Sequence, residues 1–125
     1  MHNPIVWFEI YVDDMERASK FYETIFDMTL DKLPNPTEEE MHMKIFPGNM
    51  EVYGANGALV KMNDVKAGGN STVIYFGSKD CTTEEKQIER AGGKIVKPEM
   101  SIGPHGFISL FLDTEGNMIG LHSLK

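Results

Sequence analysis

A chain of 125 residues, 41% hydrophobic and 25% charged, has the size of one domain and can bury a core without disulfide or metal staples. Its net charge of −7 argues against the clustered cations of a nucleic-acid surface and against docking on anionic membranes, and no apolar run approaches the roughly 20 residues that cross a bilayer. Cys81 is the one cysteine, so an intramolecular disulfide and a four-thiolate zinc site are excluded; Met1-His2-Asn3-Pro4 begins no charged-then-apolar export signal, which points to the cytoplasm.

Residues 7–12 alternate as a strand, with Phe8, Ile10 and Val12 on one face and Trp7, Glu9 and Tyr11 on the other. Asp13 or Asp14 can cap the helix that follows over residues 15–26. There Ala18, Phe21, Tyr22, Ile25 and Phe26 form one apolar stripe. Short strands are predicted over 28–33, 41–46, 50–53 and 58–62. The segment with Pro34-Asn35-Pro36 and Glu38-Glu39-Glu40 is an exposed loop, and Pro47-Gly48-Asn49 and Asn56-Gly57 carry turn chemistry. Residues 64–70, with Gly68-Gly69, read as a flexible connector.

The order then restarts. Residues 72–78 form a strand, Thr82-Thr83-Glu84-Glu85 fits a capping box for a helix reaching Arg90, and Gly92-Gly93 ends it. Strands follow over 94–99, 107–112 and 118–124, the last two joined by a turn at Asp113-Thr114-Glu115-Gly116-Asn117. A shift of 66 residues lays Asp14 on Asp80, Lys20 on Lys86 and Glu23 on Glu89. The expected fold is α+β: two βαβββ modules, about 4–63 and 71–125, forming a curved mixed sheet around a cleft. Each half alone would leave an apolar sheet face bare. Asn70-Ser71-Thr72 matches a glycosylation sequon and, without an export signal, reads as a chance match.

This double βαβββ order resembles the vicinal oxygen chelate superfamily of glyoxalase I, bleomycin-resistance proteins and extradiol dioxygenases. The strings that carry the resemblance are Trp7-Phe8-Glu9-Ile10-Tyr11-Val12-Asp13-Asp14, Arg17-Ala18-Ser19-Lys20-Phe21-Tyr22, Ala91-Gly92-Gly93-Lys94 and the run from Phe111 to Gly120. The metal enzymes of that family place a His or Glu on each of four cavity-facing strands. By the resemblance, those positions fall on Trp7, near Lys61, near Val73 and on Gly120. An indole, an ammonium, an isopropyl group and a hydrogen cannot hold a divalent ion, so the usual quartet and a metal cofactor are not expected.

With that face turned inward, Glu9 lies between Trp7 and Tyr11. Partly desolvated there, it would act as a general base or a cation clamp; on an outward face it would be an ordinary solvated carboxylate. Lys61 would pair with Glu9 across the cavity, or be a surface lysine at a sheet end. His122 shares the face of Gly120 and would act as a proton shuttle or metal ligand, or as a structural histidine. His105, between glycines, is a candidate mouth residue. Tyr75, opposite Glu9 in the shift, would join Trp7 and Tyr11 in an aromatic wall for a flat or cationic ligand, or simply fill the core. His42, alternating with methionines, should point outward.

These features imply a glyoxalase/bleomycin-resistance-like small-molecule binding protein without the usual metal, acting as a homodimer. The alternative is a metal-dependent lyase, isomerase or dioxygenase whose divalent ion has moved to Glu9 and His122. A packed, solvent-free cleft would instead suit a regulatory subunit.

Overall fold

A computed structural model describes residues 3–34, 40–49 and 51–125. The first module runs β1 (Trp7–Tyr11), α1 (Met15–Phe26), β2 (Asp31–Leu33), β3 (Met41–Ile45) and β4 (Asn56–Met62). The second runs β5 (Ile74–Gly77), α2 (Cys81–Ile88), β6 (Lys94–Ser101), a 3-10 turn (Gly103–His105), β7 (Phe107–Leu112) and β8 (Met118–Ser123). Each module makes one four-stranded mixed sheet, in the orders β1-β4-β3-β2 and β5-β8-β7-β6. In both, the first strand lies parallel to the last and forms the sheet edge. This is the expected architecture of two βαβββ modules.

Both helices begin on an aspartate. Asp14 accepts from Arg17 N and Asp80 from Thr82 N, so the two aspartates related by the 66-residue shift do the same job. The capping box expected at Thr82 is therefore displaced: α2 starts two residues earlier in its cap, and Thr82 donates both its backbone N–H and its hydroxyl to Asp80. Over its described residues, 51–53, the strand expected at 50–53 does not form, and neither does an Asn56-Gly57 turn. Residues 51–54 are a turn, and Asn56-Gly57 opens β4. Gly57 is needed there for a different reason: a Cβ would overlap the Phe8 carbonyl oxygen across the parallel pair. The strand expected over 28–33 shortens to β2. The loop expected around Pro36 and Glu38 lies largely outside the described residues.

One core serves both modules. Ile10, Val12, Phe21, Tyr22 and Leu59 of the first pack with Cys81, Ile88, Phe111, Ile119 and Leu121 of the second. Rings cross the boundary: Phe8 meets Phe76 edge-on at 5.9 Å, Phe46 lies 5.3 Å from Phe76, and Phe21 lies 5.9 Å from Phe111. Burying side chains of this size contributes about 1.5–3 kcal/mol each, and here that burial requires both halves. The opposite face of the first sheet carries a smaller cluster of Met43, Ala58 and Val60, flanked by Trp7, Tyr11, Met41 and Ile45. His42 is exposed, as the alternation with Met41 and Met43 predicts. Among the described residues no helix is long and apolar enough to cross a membrane.

Candidate functional site

A cleft of ≈ 680 Å³ follows the seam where the edge strands β1 and β5 face each other. That volume falls in the range of small-molecule sites, roughly 300–1,000 Å³. Its walls come from Trp7, Glu9 and Tyr11 of β1, Lys66 and Asn70 of the connector, Val73 and Tyr75 on the second-module side, and Asn117, Met118 and Ile119 near the start of β8.

Strand alternation explains the β1 wall. Phe8 and Ile10 turn to the helices and join the core, so Trp7, Glu9 and Tyr11 share the other face. The two aromatic heads converge on the carboxylate between them. Trp7 Nε1 donates to Glu9 Oε2 at 3.2 Å, and the Tyr11 hydroxyl donates to Glu9 Oε1 at 3.0 Å. Glu9 is nonetheless exposed. The desolvated carboxylate expected from its neighbours is replaced by one that is hydrogen-bonded at both oxygens and open to water.

Tyr75 also lines the cleft. Its ring lies over Gly120, where a Cβ would sit 2.5 Å from two ring carbons. Beyond Tyr75 a second cavity of ≈ 450 Å³ is bounded by Gly77, Ile102, Ile108 and His122. His122 Nε2 lies 2.8 Å from the His105 carbonyl oxygen. A carbonyl only accepts, so in this bond Nε2 carries the proton. The 3-10 turn thus positions His122 through the backbone of His105, whose own side chain lines neither cavity.

The structure brings together Trp7, Glu9, Tyr11 and Tyr75, and separates the other candidates. Lys61 is paired in register with His42, one position off Val60, which neighbours Tyr11. It therefore lies on the opposite face of β4 from Glu9, and the expected Lys61–Glu9 pair is not made; one residue of register inverts the side chain. Val60 and Met62 stand on the face that the second family ligand would need. His122 and Glu9 line different cavities. Trp7, Val73 and Gly120 complete the family positions, and none offers a strong donor for a divalent ion. Among the described residues no group of three or more His, Cys, Asp or Glu could share an ion. The described donor set does not fit the family's metal.

Sequence reading missed the residues that hold the cleft in shape. Asn70 donates through Nδ2 to the Thr72 and Met118 carbonyls and accepts at Oδ1 from Met118 N, which extends the sheet ladder with a side chain. Asn117 Nδ2 donates to the Tyr11 carbonyl at 3.0 Å, while its Oδ1 accepts from Gly68 N at 2.7 Å. Glu115 of the same turn has no side-chain exposure and accepts from Asp13 N, Asp14 N, Thr114 and the Arg17 guanidinium, the last at 2.6 Å. Burial alone would raise its pKa. The Arg17 hydrogen bond and the Asp14, Thr114 and Asp13 donors outweigh it and hold the group at about 2, below the ordinary 4.5. In the same turn Asp113 accepts from the buried Tyr22 hydroxyl at 2.6 Å, and burial, then Asp113, raise the phenol well above its ordinary value. Cys81 stands at the start of α2, but burial raises its thiol rather than the helix end lowering it, and Ser123 Oγ lies 3.3 Å from its sulfur.

Residues 4–121 match the profile of the Glyoxalase/Bleomycin resistance protein/Dioxygenase superfamily. A glyoxylase-like domain-containing protein of Didymella fabae is 29% identical over 118 residues, covering 94% of this chain and 91% of that one. Among solved structures, glyoxalase I of Zea mays superposes with a TM-score of 0.75 at 22% identity, over 97% of this chain and 46% of that one, so the chain spans about half the maize enzyme's length. The trypanothione-dependent glyoxalase I of Leishmania major gives 0.72 at 18% identity over 98% and 87% of the two chains. A fosfomycin resistance protein of Listeria monocytogenes gives 0.65 at 13% over 98% and 92%. The chain belongs to the glyoxalase/bleomycin resistance/dioxygenase superfamily, as a single small glyoxalase-like domain.

Proposed function

We propose that this protein binds a small organic molecule in the seam cleft, in the manner of the sequestering members of its superfamily, and does so without the superfamily's metal. The observation that carries the reading is the pairing of an open cleft with family ligand positions that bear Trp7, Val73 and Gly120 and, on the facing strand, Val60 and Met62 instead of strong donors. An open cleft of ≈ 680 Å³ also weighs against a vestigial site in a regulatory subunit. The relocated-metal alternative gains no support from geometry, because Glu9 and His122 do not line one cavity. The protein acts in this reading as a homodimer.

Metal analysis of protein purified without chelator tests the reading, together with thermal melts in the presence of zinc, nickel, manganese and iron(II). Substoichiometric metal and unshifted melting are expected. Stoichiometric metal that is lost in Glu9→Gln or His122→Ala would establish the alternative instead.

A further inference from the structure

The cleft's polar groups are unequally committed. An indole has one N–H and a phenol one O–H, and in Trp7 and Tyr11 both are donated to Glu9. The Asn70 and Asn117 amides are donated to backbone carbonyls and to Asp113. What remains at the β1 wall is acceptor in character: the second lone pairs of the Glu9 oxygens and the π face of Trp7. No lysine or arginine among the described residues lies within ion-pair distance of Glu9; Lys66, on the connector, is the cleft's basic residue. An anion at this wall would meet Glu9, and a neutral acceptor would find its donors already used. A donor that also carries positive charge satisfies the carboxylate and is attracted by that indole face. Ile5, Val65, Val73, Met118 and the Tyr75 ring give the rest of the lining a largely apolar surface, apart from the Thr72 and Tyr75 hydroxyls, that suits a flat hydrocarbon body.

We propose that the ligand is a protonated organic amine attached to an aromatic or otherwise flat apolar body, with its ammonium seated on Glu9 between Trp7 and Tyr11 and its ring against Tyr75. This rests on the binding reading above and names the ligand class for the same cleft. The two donated hydrogen bonds hold the carboxylate in one rotamer before the ligand arrives, so the ammonium meets a fixed acceptor and less ordering accompanies binding.

Trp7 is the sole tryptophan of the chain, so its emission reports on the site directly. The experiment titrates the full-length protein with three probes of one skeleton: phenethylammonium, phenethyl alcohol and hydrocinnamate. Excitation is at the red edge of indole absorption. The expected result is a saturable change with the amine at a concentration about tenfold or more below that needed for the alcohol, with hydrocinnamate weaker still. Glu9→Gln should bring the amine level with the alcohol; far-UV circular dichroism and the melting midpoint show that this exposed substitution leaves the fold intact. If the alcohol or hydrocinnamate binds as tightly as the amine, or Glu9→Gln keeps the amine's preference, the ligand class is wrong while the binding cleft stands. Tight hydrocinnamate binding would move the polar anchor to Lys66. If none of the three perturbs Trp7, this inference and the binding function both fall.

Discussion

Glu115 shows how a single buried carboxylate can be more useful ionised than neutral. Its acceptor positions are filled by the free amides at the start of α1, by Thr114 and by the guanidinium of Arg17, and its own side chain sees no water. Because these donors hold its folded-state pKa at about 2, against 4.5 when unperturbed, the stabilisation is fully present above pH 4.5 and is lost as pH falls toward 2. Arg17 is half exposed, so the contribution is set conservatively at about 2 kcal/mol. Glu115→Gln should therefore lose about 2 kcal/mol at neutral pH by urea unfolding, and its stability should depend less on pH between 4.5 and 2 than that of the parent. Equal slopes for parent and variant across that window would show that Glu115 does not carry the acid sensitivity. Gly120 makes the complementary point. Removing one methyl group gives Tyr75 a surface to lie on, and so sets where one cavity ends and the next begins.

At the scale of elements, caps and periodicity were legible before any coordinates. The apolar stripe of α1 and the alternation of β1 depend on spacing alone, and the structure returns them with bounds shifted by at most a residue. The errors have local causes. Asn56-Gly57 has the composition of a hairpin turn, but the second residue answers to strand contact with Phe8, which turn propensity does not encode. At α2 the capping box motif competes with a better cap one residue before the helix, and Asp80 wins because it takes both donors of Thr82. Asp80→Ala should then lower the midpoint of chemical denaturation, while Glu85→Gln, which the box would need at its third position, should not lose a cap. A larger loss in Glu85→Gln than in Asp80→Ala would have one benign source to check first, the Glu99 N–H that Glu85 accepts; double substitution separates the two. The site was half legible: the Trp7-Glu9-Tyr11 face follows from a period of two, whereas Lys61 needed a register that only the pairing of β4 with β1 and β3 supplies.

Across the whole molecule, each sheet gives one face to the shared core and leaves the other without a helix. On β6, the outer edge strand of the second sheet, Val96 and Met100 are both substantially exposed. Exposed apolar groups on an open sheet edge favour association, and a two-fold arrangement pairs that edge with its own copy. The proposed homodimer predicts a mass near twice 14.1 kDa by light scattering at micromolar concentration. Val96→Lys should shift that mass toward the monomer, and a monomeric parent at every concentration tested would remove the proposal.

The polar ties between the modules gather at one reverse turn. Asp113, Glu115 and Asn117 between them reach Tyr22, the amides of Asp13 and Asp14, Arg17, the Tyr11 carbonyl and Gly68. Elsewhere among the described residues the halves meet through edge-on and tilted rings, an apolar contact with no charged group in it. The two halves are thus held by contacts of different kinds, hydrogen bonds at one end and ring packing along the rest, and acid strong enough to protonate Glu115 would remove the first while leaving the second in place.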